Sequence, residues 1–465
     1  MSKTVPSLLA LLALLSACTM VAEPPVRVPE PPAEVPEAAE EREVPEVPEE
    51  VELPERPAAV PVPPPLPGVT PPGAPYVARP LPEEVRALWV VRTTLTHPDS
   101  IRAMVDRAYR AGFNTLIVQV RGRGDAYYLS RWEARPEAVL SRGLAFDPLA
   151  LVIRDAHARG LGVHAWVNAY LVGGNASLPT DPLHLIRARP DLLAVPRELA
   201  TDLFWRDPAT PEYAGALLRY AQGNTSTIEG IYLAPSHPEV KEHLYSVWMD
   251  LAESYHLDGL HFDYVRYPNA EFDYSRVALE RFRAWVSPRL SPDQWAELDQ
   301  RYLRDPLAFV EELPGPWAEF RAAQITELVE RIYVGVRKRR PSLVVSAAVF
   351  PDADDAYRTR FQDWGSWMAA GILDAVAPMA YTPDNALFEE QIRRAVEAAG
   401  GHRVWAGIGV YRNTYRGTLD KILIAGRLGA RGVSLFSYDW AVSEGEGDGA
   451  RSFLDRLGSE VFLRR

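Results

Sequence analysis

Between Val85 and the end of the chain, eight short β-rich runs alternate with eight segments of helical period, and this alternation constrains the fold more than any other feature. Parallel strands can be joined only by long crossovers, normally helices, so such a series predicts a parallel sheet with helices packed on it. The strands are expected at 87–91, 115–120, 162–167, 259–264, 343–349, 375–380, 404–410 and 433–437. Most are near-continuous apolar runs, as strands covered on both faces should be. Core stripes appear at helical spacing, with Ile101, Met104, Val105, Ala108 and Tyr109 in one segment and Val240, Leu244, Val247, Trp248 and Leu251 in another. Gly112, Gly160, Gly371 and Gly429 stand where helices should end. The expected α/β fold is a (β/α)₈ TIM barrel, with its active site at the C-terminal ends of the strands. A doubly wound open sheet is the alternative.

Three connections are long: those after the second, third and fourth strands, at about 121–145, 170–236 and 265–316. Loops of that length are usually functional, and here they should wall a groove over the barrel mouth. They carry Tyr127, Tyr128, Trp132, Trp205, Arg206, Tyr267 and Trp285, side chains that suit sugar rings or can anchor the loops themselves.

The first residues look like an address. Lys3 precedes the apolar run from Leu8 to Leu15, which is too short for an ordinary membrane span, and small residues then lead to Cys18, the chain's one cysteine. This resembles a lipoprotein signal, with residues 1–17 removed and Cys18 lipidated as a membrane anchor. Residues 18–75 are expected to form a disordered Pro/Glu-rich tether, and 76–465 the barrel. The stretch from Thr19 to Pro75 holds 18 of the 42 prolines and 12 Glu against 3 Arg, so most of the net charge of −12 lies there. The rest is close to neutral and lacks the basic footprint of a nucleic-acid-binding protein. With the cysteine at the anchor, no disulfide framework or thiolate metal site is expected. No phosphate-binding loop, dinucleotide fingerprint or serine-hydrolase elbow appears, and no cofactor is expected.

Polar residues within apolar strands are costly unless used, which singles out the fourth strand, His261-Phe262-Asp263-Tyr264-Val265-Arg266-Tyr267. Period two puts His261 and Asp263 on one face, and Arg266 nearby would hold Asp263 ionised as nucleophile, base or oxocarbenium stabiliser. In the third strand His164, Trp166 and Asn168 share a face as candidate substrate contacts. Arg121 and Asp125 follow the second strand, Asp352 the fifth, and Tyr438, Asp439 and Trp440 the eighth. Asp125, Asp352 and Asp439 are thus candidate partners for Asp263, since glycoside hydrolysis needs two carboxyl groups. Each is equally a capping residue by type. The histidines lack metal-site spacing, so no metal is expected.

Gln119-Val120-Arg121 with Gly124-Asp125-Ala126, Phe146-Asp147-Pro148-Leu149, His164-Ala165-Trp166-Val167-Asn168, Tyr232-Leu233-Ala234-Pro235, the fourth-strand segment and Ala377-Pro378-Met379-Ala380-Tyr381 together resemble the glycosyl hydrolase-like 10 family. The resemblance implies a (β/α)₈ barrel and, from the family's envelope lipoproteins, hydrolysis of peptidoglycan glycan strands stripped of their peptides. It implies mouth positions for Asp263, Asp125, His164, Asn168, His261 and Tyr381. Tyr264 and Ala234 depart from the pattern, since many members carry aspartate at both. The expected partner is therefore a polysaccharide, cleaved at its glycosidic bonds at the outer membrane. A barrel that holds glycan without cleaving it, or a structural lipoprotein, is the alternative.

Overall fold

A computed structural model describes residues 78–443 and 453–462. The eight barrel strands are β1 (Val85–Val90), β2 (Thr115–Arg121), β3 (Gly162–Asn168), β4 (Gly259–Asp263), β5 (Val344–Val349), β6 (Ala375–Pro378), β7 (Trp405–Gly409) and β8 (Gly432–Phe436). All are parallel to their neighbours, in the order β6-β5-β4-β3-β2-β1-β8-β7. Two isolated parallel bridges, Val376 to Val404 and Met379 to Gly407, nearly close the sheet between β6 and β7. The expected TIM barrel is therefore present, and each strand lies within a few residues of its sequence position.

Alternation along each strand divides the apolar residues between two layers. Leu88, Val90, Leu116 and Val118 face the helices in the main core. Ala87, Trp89, Ile117, Trp166, Ala348, Ala377 and Trp405 fill the barrel interior. β4 ends one residue earlier than expected because Tyr264 takes a left-handed backbone, φ 50°. A residue with a Cβ is disfavoured there, and such strain concentrates at functional sites.

The loops after β3 and β4 have internal structure that strand periodicity does not reveal. The first contains a small antiparallel pair, Leu171–Gly173 with Ile231–Tyr232, and the helices Arg197–Phe204 and Pro211–Gly223. The second folds helices Arg276–Val286 and Pro292–Tyr302 against the start of the 26-residue helix Pro314–Arg339. It has a separate core of Leu279, Phe282, Phe309, Trp317 and Phe320.

The described chain begins pinned to the N-terminal face of the barrel. Ser342 Oγ accepts from Ala78 N at 3.1 Å, Asp258 Oδ1 accepts from Arg79 N at 2.9 Å, and Arg431 donates to the Leu81 and Pro82 carbonyls. No helix among the described residues is long and apolar enough to cross a membrane. The expected signal, Cys18 anchor and Pro/Glu-rich tether lie outside the described residues.

Candidate active site

A cavity of about 460 Å³ opens at the C-terminal ends of the strands. Trp89, Trp166, Tyr381 and Phe436 give it an aromatic base, with Tyr381 stacked on Phe436 at 5.4 Å. Polar groups stand above this base because β3 and β4 are in register. Trp166 pairs with His261, and Asn168 with Asp263, so the inward residues form tiers.

The lower tiers are structural. His164 sits opposite Gly259, where a Cβ would lie 2.3 Å from the imidazole Nδ1, and its ring meets Trp405 edge-on at 5.6 Å. Burial pushes its pKa down to about 4. His261 accepts from Trp89 Nε1 through Nε2 at 3.3 Å, so Nδ1 carries the hydrogen donated to Ser346 Oγ at 2.9 Å. Burial lowers its pKa to about 3 and keeps it neutral. Both histidines were expected to contact substrate. They lie below the cavity lining, since alternation sets the face of a strand but not the height along it.

Asp263 stands in the top tier. Its Oδ2 accepts from Trp166 Nε1 at 3.0 Å and its Oδ1 from the Tyr264 backbone N–H at 2.7 Å. The Trp166 N–H is shared with Asn168 Oδ1 at 2.8 Å, and Asn168 Nδ2 donates to the Gly122 carbonyl, also at 2.8 Å. Burial pushes the Asp263 carboxyl up to about 6, against the pull of Arg266 and these hydrogen bonds. Arg266 does favour the ionised form of Asp263, as expected, but burial outweighs it, and the guanidinium makes its direct pair elsewhere. Arg266 donates instead to Glu229 Oε1 at 2.8 Å, while its guanidinium lies over the Tyr264 and Phe350 rings.

Sequence reasoning missed Glu229, as it missed the lining residues Trp89, Arg92, Arg123 and Phe436. Glu229 lines the cavity from the loop after β3, and its Oε2 accepts from Tyr232 Oη at 2.6 Å. Burial works to raise its pKa, but Arg266 and the Tyr232 hydroxyl outweigh it and hold the carboxyl below its ordinary value. The usable signal was an acid directly before Gly230-Ile231-Tyr232, where the loop returns to the barrel.

The expected convergence of four aspartates does not form. Asp125 Oδ1 accepts from the backbone N–H groups of Gly122 and Arg123, at 3.2 and 2.7 Å, and so closes a tight turn. Asp352 caps the helix Ala353–Arg360 and pairs with Arg394 at 2.8 Å. Asp439 accepts from Thr94 Oγ1 at 2.7 Å, tying the last strand's loop to the first. None of the three lines the cavity. Arg121 is fully buried in an ion pair with Glu133 at 2.6 Å, and Tyr267 is buried edge-on to Phe361. Both are scaffold, and Tyr438 is likewise buried away from the lining. Trp440 is half exposed and tilts against the lining residue Tyr411 at 5.8 Å. Of the expected site residues, Asp263, Trp166, Asn168, Arg266 and Tyr381 share the cavity.

A sequence profile described as glycosyl hydrolase-like 10 matches residues 84–220 and 219–412. Glycosyl hydrolase DigH of Escherichia coli (strain K12) is 24% identical over 291 residues, 61% of this chain and 58% of that protein. Glycosyl hydrolase YngK of Bacillus subtilis (strain 168) is 24% identical over 300 residues, 60% of this chain and 48% of its own. The match thus spans about half to three fifths of these relatives. Among solved structures, the glycoside hydrolase domain of PgaB (BpsB) from Bordetella bronchiseptica superposes with TM-score 0.54 at 16% identity, covering 77% of this chain and 95% of that domain. The catalytic domain of β-amylase from Paenibacillus polymyxa gives TM-score 0.52 at 10% identity, covering 83% and 99%. At these identities the structural likeness shows the fold alone.

Proposed function

The chain belongs to the glycosyl hydrolase-like 10 family, and on that premise we propose that it hydrolyses glycosidic bonds in an envelope amino-sugar polymer, peptidoglycan strands lacking stem peptides. One observation carries the reading: Asp263 and Glu229 line the same aromatic-based cavity, and their surroundings push their pKa values in opposite directions. Such divergence assigns an acid and a base.

Asp263, protonated up to about pH 6, gives its proton to the glycosidic oxygen as the bond to the anomeric carbon breaks. Glu229, ionised and oriented by Arg266 and Tyr232, supplies the negative charge that stabilises the oxocarbenium-like centre until water adds to the anomeric carbon and gives its proton back to the Asp263 carboxylate. Trp89, Trp166, Tyr381 and Phe436 offer apolar faces to the sugar ring. The substrate follows from what the family resemblance implies, together with the envelope address at Cys18, which we propose anchors the chain by lipid at the outer membrane.

The test is incubation of the full chain with intact and amidase-treated peptidoglycan, followed by mass spectrometry of the soluble products. Oligosaccharides should be released from the stripped strands. A digest without fragments would sink the enzymatic reading. Glu229 has both carboxylate oxygens engaged by protein groups, which favours a second reading, a barrel that retains glycan uncut. That reading predicts co-sedimentation with the stripped strands and no products.

A further inference from the structure

Two arginines that the catalytic reading does not use line the same cavity. Arg92 follows β1 and Arg123 follows β2. Arg92 is held by Gln119, whose Oε1 accepts from the Arg92 backbone N–H at 3.3 Å and from Nη1 at 3.1 Å. Its stem crosses Gly122, where a Cβ would come within 2.4 Å of the Arg92 Cδ. The Arg123 guanidinium lies against Gly174, where a Cβ would come within 2.4 Å of Nη1. The Arg123 backbone is fixed at both ends, its carbonyl by His184 Nε2 at 2.7 Å and its N–H by Asp125 Oδ1 at 2.7 Å. Glycines at 122 and 174 thus leave room for both side chains.

Neither guanidinium has a carboxylate in contact with it, although Asp125 acts on Arg123 from further away. Arg121 has Glu133 and Arg266 has Glu229, but no carboxylate among the described residues lies within ion-pair distance of Arg92 or Arg123. The Nε of Arg123 is buried without a hydrogen-bond partner. Burial and then repulsion from Arg92 lower the Arg123 pKa, so the two cations act on each other. Holding two like charges partly buried and unpaired costs free energy that an anion between them would remove. A carboxylate is the fitting anion, because its two coplanar oxygens match a guanidinium fork.

Resting on the glycan-cleaving reading of this cavity, we propose that Arg92 and Arg123 form a subsite that selects a sugar unit bearing a carboxylate. The test uses calorimetry on the full chain with two probes, an N-acetylglucosamine–N-acetylmuramic acid tetrasaccharide and the same compound with its carboxyls methyl-esterified. The wild type should bind the acid about tenfold more tightly, the scale of one charge-assisted contact. In the Arg92→Gln/Arg123→Gln double variant the two probes should bind alike. Arg92→Lys/Arg123→Lys should keep part of the preference. Equal wild-type affinity for acid and ester overturns the subsite and leaves the glycan reading intact, and this arm depends on no variant. Binding of neither probe overturns both. A preference that persists in a folded double variant assigns the selection elsewhere and overturns the subsite.

Discussion

At Asp263 a single proton links the proposed catalysis to stability. Asp263→Asn keeps size and hydrogen-bonding capacity but carries no transferable proton, so cleavage should fall by about a thousandfold or more while glycan binding survives. A variant retaining a tenth of wild-type turnover would remove Asp263 from the chemistry. In the wild type kcat/KM should decline above about pH 6, where the acid loses its proton. Glu229→Gln should move that limb to lower pH, because the Glu229 charge raises Asp263 and Arg266, freed of its partner, would lower it further. The same shift has a sign in stability. The folded protein binds this proton more tightly than the unfolded chain, so stability from Asp263 is greatest below about pH 4 and is lost as pH rises towards 6. Asp273, pushed up to about 6 by burial, adds a slope of the same sign, but it is common to wild type and variant. Urea unfolding at pH 4.5 and 7.5 should therefore favour Asp263→Asn over wild type more at the higher pH. An unchanged difference would mean that the Asp263 carboxyl titrates alike in both states. Period-two alternation made Asp263, Trp166 and Asn168 legible in sequence. It also offered His164 and His261, because height along a strand leaves no mark in the pattern. Glu229 left no mark in the periodicity, because its loop has none, and its one signal was its place directly before Gly230-Ile231-Tyr232.

Among the elements, the small sheet after β3 is what delivers Glu229. Gly230 adopts φ +156°, and a Cβ there would lie 1.9 Å from the Gly173 carbonyl oxygen. Gly230→Ala must push the pair Leu171–Gly173 and Ile231–Tyr232 apart and displace the neighbouring carboxylate. Overpacking of this kind costs about 1–3 kcal/mol, and turnover should fall by more than stability alone explains. Gly223→Ala is the matched control, since a Cβ at the end of helix Pro211–Gly223 meets nothing within 4 Å. Equal activity in the two variants would detach the small sheet from catalysis. Strands and crossover helices were readable because burial on one or both faces writes a period into the chain. The second core, around Phe282 and Trp317, is recorded only as a local excess of aromatics that does not say what packs on what.

For the molecule as a whole, the two ends of the barrel divide the labour. The cavity occupies the C-terminal face of the strands, whereas the described chain enters at the other face, through the bonds from Ala78 and Arg79 to Ser342 and Asp258. Truncation before residue 78 removes none of these bonds and no residue of the described cores. Thr19 to Pro72, rich in Pro and Glu, has no run of apolar residues able to build a core of its own. Deleting Thr19 to Pro72 should therefore leave the melting temperature within a few degrees and the rate on soluble glycan fragments unchanged. On the proposed lipid anchor at Cys18, release of fragments from whole envelopes should drop, because this segment would then set how far the cavity reaches from the membrane. Labelled palmitate supplies the companion measurement: incorporation should vanish in Cys18→Ser and persist in the deletion. If the deletion instead lowers the melting temperature sharply, part of the Pro/Glu-rich segment packs on the barrel, and its contribution is to the fold rather than to reach.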